Sequence, residues 1–156
     1  MPEAVLKSRP VPQPEPMVRV GINLDTLVAH QLRRAHQRAS AIFLSLLGEH
    51  QLTPTQFFAM ARLYELGQLS QNRLGRLAAM DPATIQGVIQ RLADRGYIQR
   101  LPDMTDRRRM VLRLTEAGRA VTEALIDGAI EVDDALLKPL TPEEQAAFLK
   151  LLHKIT

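Results

Sequence analysis

Residues 70–100 read SQNRLGRLAAMDPATIQGVIQRLADRGYIQR, and residues 101–115 continue LPDMTDRRRMVLRLT. Two helix starts stand close together in this stretch. Ser70 offers a hydroxyl cap for a short helix from Gln71 to about Ala79, with Leu74, Leu77 and Ala78 on its inward side. Asp81-Pro82 starts a second helix that runs to about Arg95, because the aspartate accepts from free first-turn amides and proline suits the first helical position. Ile85, Val88, Ile89 and Leu92 fall at helical spacing and face inward, and Gly96 closes the helix. After Gly96 the period drops to two. Residues 97–101 and 109–114 read as strands, joined by a polar turn that carries Pro102, Asp103 and Asp106. Two short helices across a tight turn, followed at once by a hairpin with a basic tip, predict a winged helix-turn-helix.

The chemistry of such a unit follows from groove dimensions. The major groove, about 12 Å wide, admits an α-helix, so the second helix would enter it with its N-terminal half and outer face. Setting aside the inward positions leaves Ala83, Thr84, Gln86, Gly87, Gln90 and Arg91, with Pro82 at the helix start. Glutamine can bond adenine edges, arginine can take guanine or phosphate, and threonine offers a hydroxyl and a methyl. Ser70 and Gln71, at the start of the first helix, join the candidate DNA contacts. At the hairpin tip Arg107, Arg108 and Arg109 can reach phosphates or an adjacent narrow minor groove. Asp106 is too acidic for a phosphate clamp and suits a different task, holding a neighbouring guanidinium by a charge-assisted hydrogen bond. The competing reading of the arginine run is a solvated turn.

Charge along the chain supports the first reading. The formal net charge of +3 over 156 residues conceals an uneven distribution. Residues 62–119 hold 11 basic and 6 acidic side chains, whereas residues 120–156 hold 3 basic and 7 acidic ones. Arginine supplies 16 of the 20 basic residues, and its planar fork suits phosphates and base edges. A polyanion partner is therefore expected for the middle of the chain. A solvated arginine-rich surface is the alternative on charge alone.

Outside the middle, the pattern is helical. Leu24, Leu27, Val28, Leu32, Ala35, Ala39, Ile42, Phe43, Leu46 and Leu47 predict a long amphipathic helix ending near Gly48. Thr53-Pro54-Thr55-Gln56 starts another, to about Leu66. Thr115 caps a long helix to about Leu137, and Thr141-Pro142-Glu143-Glu144 starts a last one to about Lys154. The first 16 residues hold five prolines, so residues 1–23 are expected to form an extended, mobile arm. The fold class is therefore mainly α with a small β-hairpin wing: a helix at 24–48, a winged helix-turn-helix over 49–115, and C-terminal helices over 116–156. No internal repeat is visible. The long apolar helices at both ends exceed what a small DNA-binding unit can cover, and a two-fold partner can cover them, so 24–48 and 116–156 are expected to dimerise.

Residues 70–100, then Asp106-x-Arg108, then Leu114-Thr115-Glu116-Ala117-Gly118, resemble the MarR family of bacterial transcriptional regulators. The resemblance spans residues 24–156, and its most specific part is the wing, Asp-x-Arg followed by Leu-Thr-x-x-Gly. It implies a homodimer, a pseudo-palindromic double-stranded DNA operator, repression, and release by a small aromatic or phenolic ligand. The family's minor-groove arginine corresponds to Arg108, and its recognition helix to residues 82–95. The helix pair is similar to that of members controlling degradation of aromatic or N-heteroaromatic acids such as hydroxynicotinate; a multidrug-type regulator with broad ligand tolerance is equally compatible.

An effector would sit where the long helices meet the DNA-binding lobe, since pockets favour interfaces between subdomains. His36, with Arg33 within one turn and His30 within two, could bind an aromatic acid, and Phe57, Phe58 and Tyr64 could form its walls. Packed or dimer-contacting roles for the histidines, and core roles for the aromatics, are the competing readings. The absence of cysteine excludes disulfides, thiol catalysis and cysteine redox sensing, and fits a reducing cytoplasm. No apolar run approaches membrane-spanning length and no signal peptide is evident, so a soluble intracellular protein is expected. The four histidines form no ligand pair at three- to five-residue spacing, so no metal or cofactor is expected. No nucleophile elbow or phosphate-cradling glycine loop is present, so no enzyme is expected. The remaining class is a winged-helix adaptor for proteins, which would expose apolar residues on the outer face of the second helix.

Overall fold

The computed structural model describes residues 23–106 and 108–156. The expected extended arm falls almost wholly on residues 1–22, which lie outside the described residues, as does Arg107. Among the described residues the helices are α1 (Val28–Leu47), α2 (Pro54–Leu66), α3 (Gln71–Leu77), α4 (Pro82–Asp94), α5 (Glu116–Leu137) and α6 (Pro142–Leu152). The strands are β1 (Gln68–Leu69), β2 (Ile98–Pro102) and β3 (Met110–Leu114).

The helices begin where a side chain can satisfy their free amides. At α2, the Gln56 amide donates to Thr53 Oγ1 at 3.3 Å and the Thr53 amide donates to Gln56 Oε1 at 2.9 Å. Thr141 and Glu144 repeat this reciprocal cap at α6. The long helix expected from Leu24 begins at Val28 instead. Leu24–Thr26 form a separate 3-10 turn, capped by Asn23, whose Oδ1 accepts from the Asp25 amide at 3.0 Å. Helix α3 stops at Leu77, two residues short of the expected end, because Ala79 takes a left-handed φ of 51° and the Met80 amide turns back to Gly75 O.

The hairpin pairs antiparallel with Ile98 opposite Leu114 and Pro102 opposite Met110. Strand β1 adds a third member that the sequence reading lacks, Gln68 and Leu69 pairing with Arg113 and Leu112 in the order β1-β3-β2. Two residues cannot display an alternating pattern. The core lies around α2, which packs against α3, α4, α5 and the sheet, with Met60, Leu63, Leu74, Ile89, Leu92 and Leu125 almost fully excluded from solvent. Burying each such side chain is worth about 1.5–3 kcal/mol.

Helix α5 crosses the hinge between α4 and β2 at very close range. The Thr115 amide donates to Tyr97 O at 3.0 Å, and Thr115 Oγ1 donates to Gly96 O at 2.6 Å. Helix α1 packs along α5, where Gly128 makes room for Leu47: a Cβ on Gly128 would overlap Leu47 Cδ2. No helix among the described residues is long and apolar enough to cross a membrane.

Candidate nucleic-acid interface

Helix α4 separates its side chains by face as the sequence predicts. Ile85, Val88, Ile89 and Leu92 are buried, whereas Pro82, Ala83, Thr84, Gln86, Gln90 and Arg91 are exposed and Gly87 is half-buried. The outward face therefore carries amides, a guanidinium and small residues, with no large apolar side chain. Ser70 is exposed and Gln71 half-buried at the start of α3, and both border a recess beside the wing that Arg109 and Met110 complete.

The start of α4 is held firmly. Asp81 Oδ1 accepts from the amides of Ala83 at 3.0 Å and Thr84 at 2.9 Å, and its other oxygen accepts from the Thr84 hydroxyl. The Thr84 hydroxyl bond foremost, then the Thr84 amide, holds the Asp81 carboxyl below its ordinary value. Thr84 thus leaves its methyl and an acceptor lone pair on the exposed face, since its proton is committed to Asp81. Gln90 Nε2 likewise donates to Asp94 Oδ1 at 2.7 Å. Among the described residues, Gln86 and Arg91 make no side-chain hydrogen bond. The Arg91 guanidinium lies back over Gly87, where a Cβ would stand 3.4 Å from Nη2, an ordinary contact.

The wing organises its arginines around one carboxylate. Asp106 Oδ2 lies 3.2 Å from Arg109 Nε, and Asp106 Oδ1 accepts from the Arg108 amide at 3.1 Å. The sequence assigned Asp106 to hold a neighbouring guanidinium, and that guanidinium belongs to Arg109. Arg108 is exposed, and its side chain makes no hydrogen bond or ion pair among the described residues. Arg107 lies outside them. Asp103 closes the turn from the other side, accepting at Oδ1 from the Thr105 amide at 2.8 Å and hydroxyl at 2.7 Å; these bonds, the hydroxyl first, depress its pKa.

Residues 52–110 match the MarR family. The transcriptional repressor NicR of Pseudomonas putida is 35% identical over 150 residues, covering 96% of this chain and 95% of its own. The chain belongs to the MarR family. Solved MarR-like neighbours share the fold. A probable transcriptional regulator from Pseudomonas aeruginosa is 46% identical with a TM-score of 0.81, covering 86% of this chain and 100% of its own. Bordetella bronchiseptica BpsR, whose DNA binding is regulated by 6-hydroxynicotinic acid, is 34% identical with a TM-score of 0.81, covering 86% of this chain and 96% of its own. MarR proteins are transcriptional regulators with a winged helix-turn-helix, and the exposed face of α4 together with the wing occupies that unit here.

The candidate effector residues do not converge on one cavity. Along α1, His30 is half-buried and Arg33 and His36 are exposed. Phe57 is buried against Phe43, with ring centroids 5.6 Å apart. With the exposed Phe58 it lines an apolar cavity of about 270 Å³ between α1, α2 and α5, completed by Ile126, Ile130 and Asp133. His30, Arg33, His36 and Tyr64 do not line it. Tyr64 turns instead toward α5, donating its hydroxyl to Glu123 Oε1 at 2.9 Å under the Arg119 guanidinium, which lies 5.2 Å from the ring centroid. The Glu123 hydrogen bond raises the Tyr64 pKa. Glu123, Arg119 and Asp133 were not legible as site residues, because nothing in the sequence pairs them with α2. Among the described residues no group of three or more histidine, aspartate or glutamate side chains could hold a metal ion.

Proposed function

We propose that this MarR-family chain is a repressor that binds a pseudo-palindromic operator as a homodimer and is released by a small aromatic acid. The observation that carries the reading is the pairing of an exposed polar α4 face with the exposed Arg108 on the adjoining wing. Thr84, Gln86, Gln90 and Arg91 would read base edges in the major groove, with Ser70 and Gln71 close by, while Arg108 would enter the flanking minor groove. Arg109, tied to Asp106, would set the wing's shape and meet phosphate.

Exposed apolar residues at both ends of the chain support the homodimer. Leu24, Val28, Leu149, Leu151 and Ile155 are each more than half exposed in the single chain. Segments 24–48 and 116–156 would bury these against a second copy, leaving 49–115 to meet DNA. Two copies of α4 would then address successive major grooves about one helical turn apart.

Regulation of BpsR by 6-hydroxynicotinic acid supports an aromatic or N-heteroaromatic acid as effector, and genes for degrading such an acid would be the targets. His30, Arg33 and His36 along α1 would supply its anion partners. A bound acid would change the angle between the two DNA-binding lobes, and a shift of a few ångströms suffices because half-sites have fixed separation. Selection of genomic fragments by the purified protein, followed by gel shifts with and without 6-hydroxynicotinate and related acids, tests the reading. Recovery of one palindromic site whose complex an acid dissolves is expected; recovery of no preferred fragment would overturn it.

A further inference from the structure

We propose that Arg95 is a positioning residue that fixes the angle of the recognition helix α4 on the end of α1, and so sets which half-site spacing the dimer accepts. The inference rests on the reading of the chain as a dimer on paired half-sites.

Arg95 caps α4, its amide donating to Arg91 O at 3.2 Å. Its side chain then reaches back more than forty positions along the sequence. Nη1 donates to Gln51 O at 2.6 Å, and Nη2 donates to His50 O at 3.0 Å and to Tyr97 Oη at 3.2 Å. The guanidinium carbon lies 4.8 Å from the Tyr97 ring centroid. Among the described residues no other side-chain hydrogen bond joins α4 to this segment.

What Arg95 grips is the end of α1. The 3-10 turn Gly48–His50 follows α1 directly, and Gln51 ends it with a left-handed φ of 53°. The carbonyls there are the free acceptors of a helix C-terminus, where a cation is favoured. A planar guanidinium can take two carbonyls and lie against a ring at the same time, which an ammonium cannot. The half-buried site gives these charged hydrogen bonds more weight than exposed ones. Helix α1 carries the exposed Val28 and Leu32 at its far end, next to the exposed Leu27 that precedes it, so one helix would join the partner-facing surface to the recognition helix through Arg95. A rotation of α1 within the dimer would reach α4 as a change of angle, whereas without the clamp α4 would keep its fold and lose its fixed bearing.

The test compares wild type, Arg95→Lys and Arg95→Gln on duplexes built from the half-site that the wild type selects. The half-sites are placed as inverted repeats at the selected spacing and with one or two base pairs inserted. Wild type is expected to prefer the selected spacing strongly. Arg95→Gln should lose about tenfold in affinity there and little at the other spacings, so that its preference flattens, with Arg95→Lys between the two. Equal losses at every spacing would mean a merely structural residue and overturn the proposal, as would no change. A second readout needs no DNA. The chain has no cysteine, so a spin label on Gln86→Cys reports the distance between the two α4 helices of a dimer. A narrow distribution that broadens in both Arg95 variants supports the clamp, and an unchanged one contradicts it. Should the wild type select no DNA, the regulator reading fails while these distances still decide the role of Arg95.

Discussion

Gly118 in the first turn of α5 lies against the carbonyl of Tyr97, so close that a Cβ would overlap its oxygen and stand 2.8 Å from its carbon. The same carbonyl accepts the Thr115 amide, and Thr115 Oγ1 in turn accepts from the Gly118 amide at 3.0 Å. Backbone cannot yield as a flexible side chain can, so any side chain at 118 must push α5 off the turn that follows α4. Gly118→Ala is expected to cost about 3 kcal/mol, near the upper end for overpacking, and to lower the melting temperature by roughly 10 °C. Thermal unfolding followed by circular dichroism checks this, and an unchanged melting temperature would refute the contact.

Arg108 and Asp106 should separate in their effects. Arg108→Ala would remove the proposed phosphate or minor-groove contact and is expected to weaken operator binding while reducing the salt slope by about 1. Asp106→Asn removes the carboxylate that orients Arg109 and the Arg108 amide, so it should weaken binding less and leave the slope nearly unchanged. Gel shifts across a salt series distinguish the two.

On α4, Gln86 and Arg91 are exposed and make no side-chain hydrogen bond among the described residues, so base readout would fall to them first. Gln86→Ala and Arg91→Ala are each expected to cost about 1–3 kcal/mol on the selected operator and to relax preference at one base position. Competition binding with single-base operator variants shows it. A uniform loss across all variants would make these residues phosphate contacts instead.

Asp81 ties stability to pH. Its carboxyl titrates below the ordinary 3.8 in the folded chain because the Thr84 hydroxyl and amide stabilise the charged form. A depressed folded value means that the contribution is fully present above about pH 4 and is lost as pH falls through the folded value. Asp81→Ala should therefore melt below the wild type at pH 7, and the gap should narrow as pH drops from 4 toward 3. A gap constant over that range would contradict the assignment.

Helix α1 carries the candidate anion partners of an effector. If Arg33 and His36 meet an aromatic carboxylate, Arg33→Ala and His36→Ala should retain operator affinity and raise the acid concentration needed for release by about tenfold. Titrating 6-hydroxynicotinate into the preformed complexes measures this, and unaltered release would exclude both side chains.

Signals that act within a few residues were legible in the sequence. Thr53, Asp81, Thr115 and Thr141 mark helix starts because a side chain two or three positions away meets a free amide, and each one caps as read. The outward face of α4 followed from helical period alone, and Asp106 announced its task by lying beside three arginines. What escaped depends on contacts across the fold. The two residues of β1 gain meaning only opposite Arg113 and Leu112. The grip of Arg95 on His50 and Gln51, and of Tyr64 on Glu123, joins positions more than forty residues apart. The break between Thr26 and Val28 depends on the Asn23 cap, which apolar periodicity does not register.

On the proposed function, two copies of α4 and its wing would address paired half-sites. Footprinting of the wild-type protein on the genomic fragment it selects tests this most directly. Protection of two inverted half-sites is expected, their centres about 10 base pairs apart, one turn of the double helix, with hypersensitive or protected minor-groove positions flanking each. Protection of one isolated half-site, or none on any fragment at moderate salt, would contradict it.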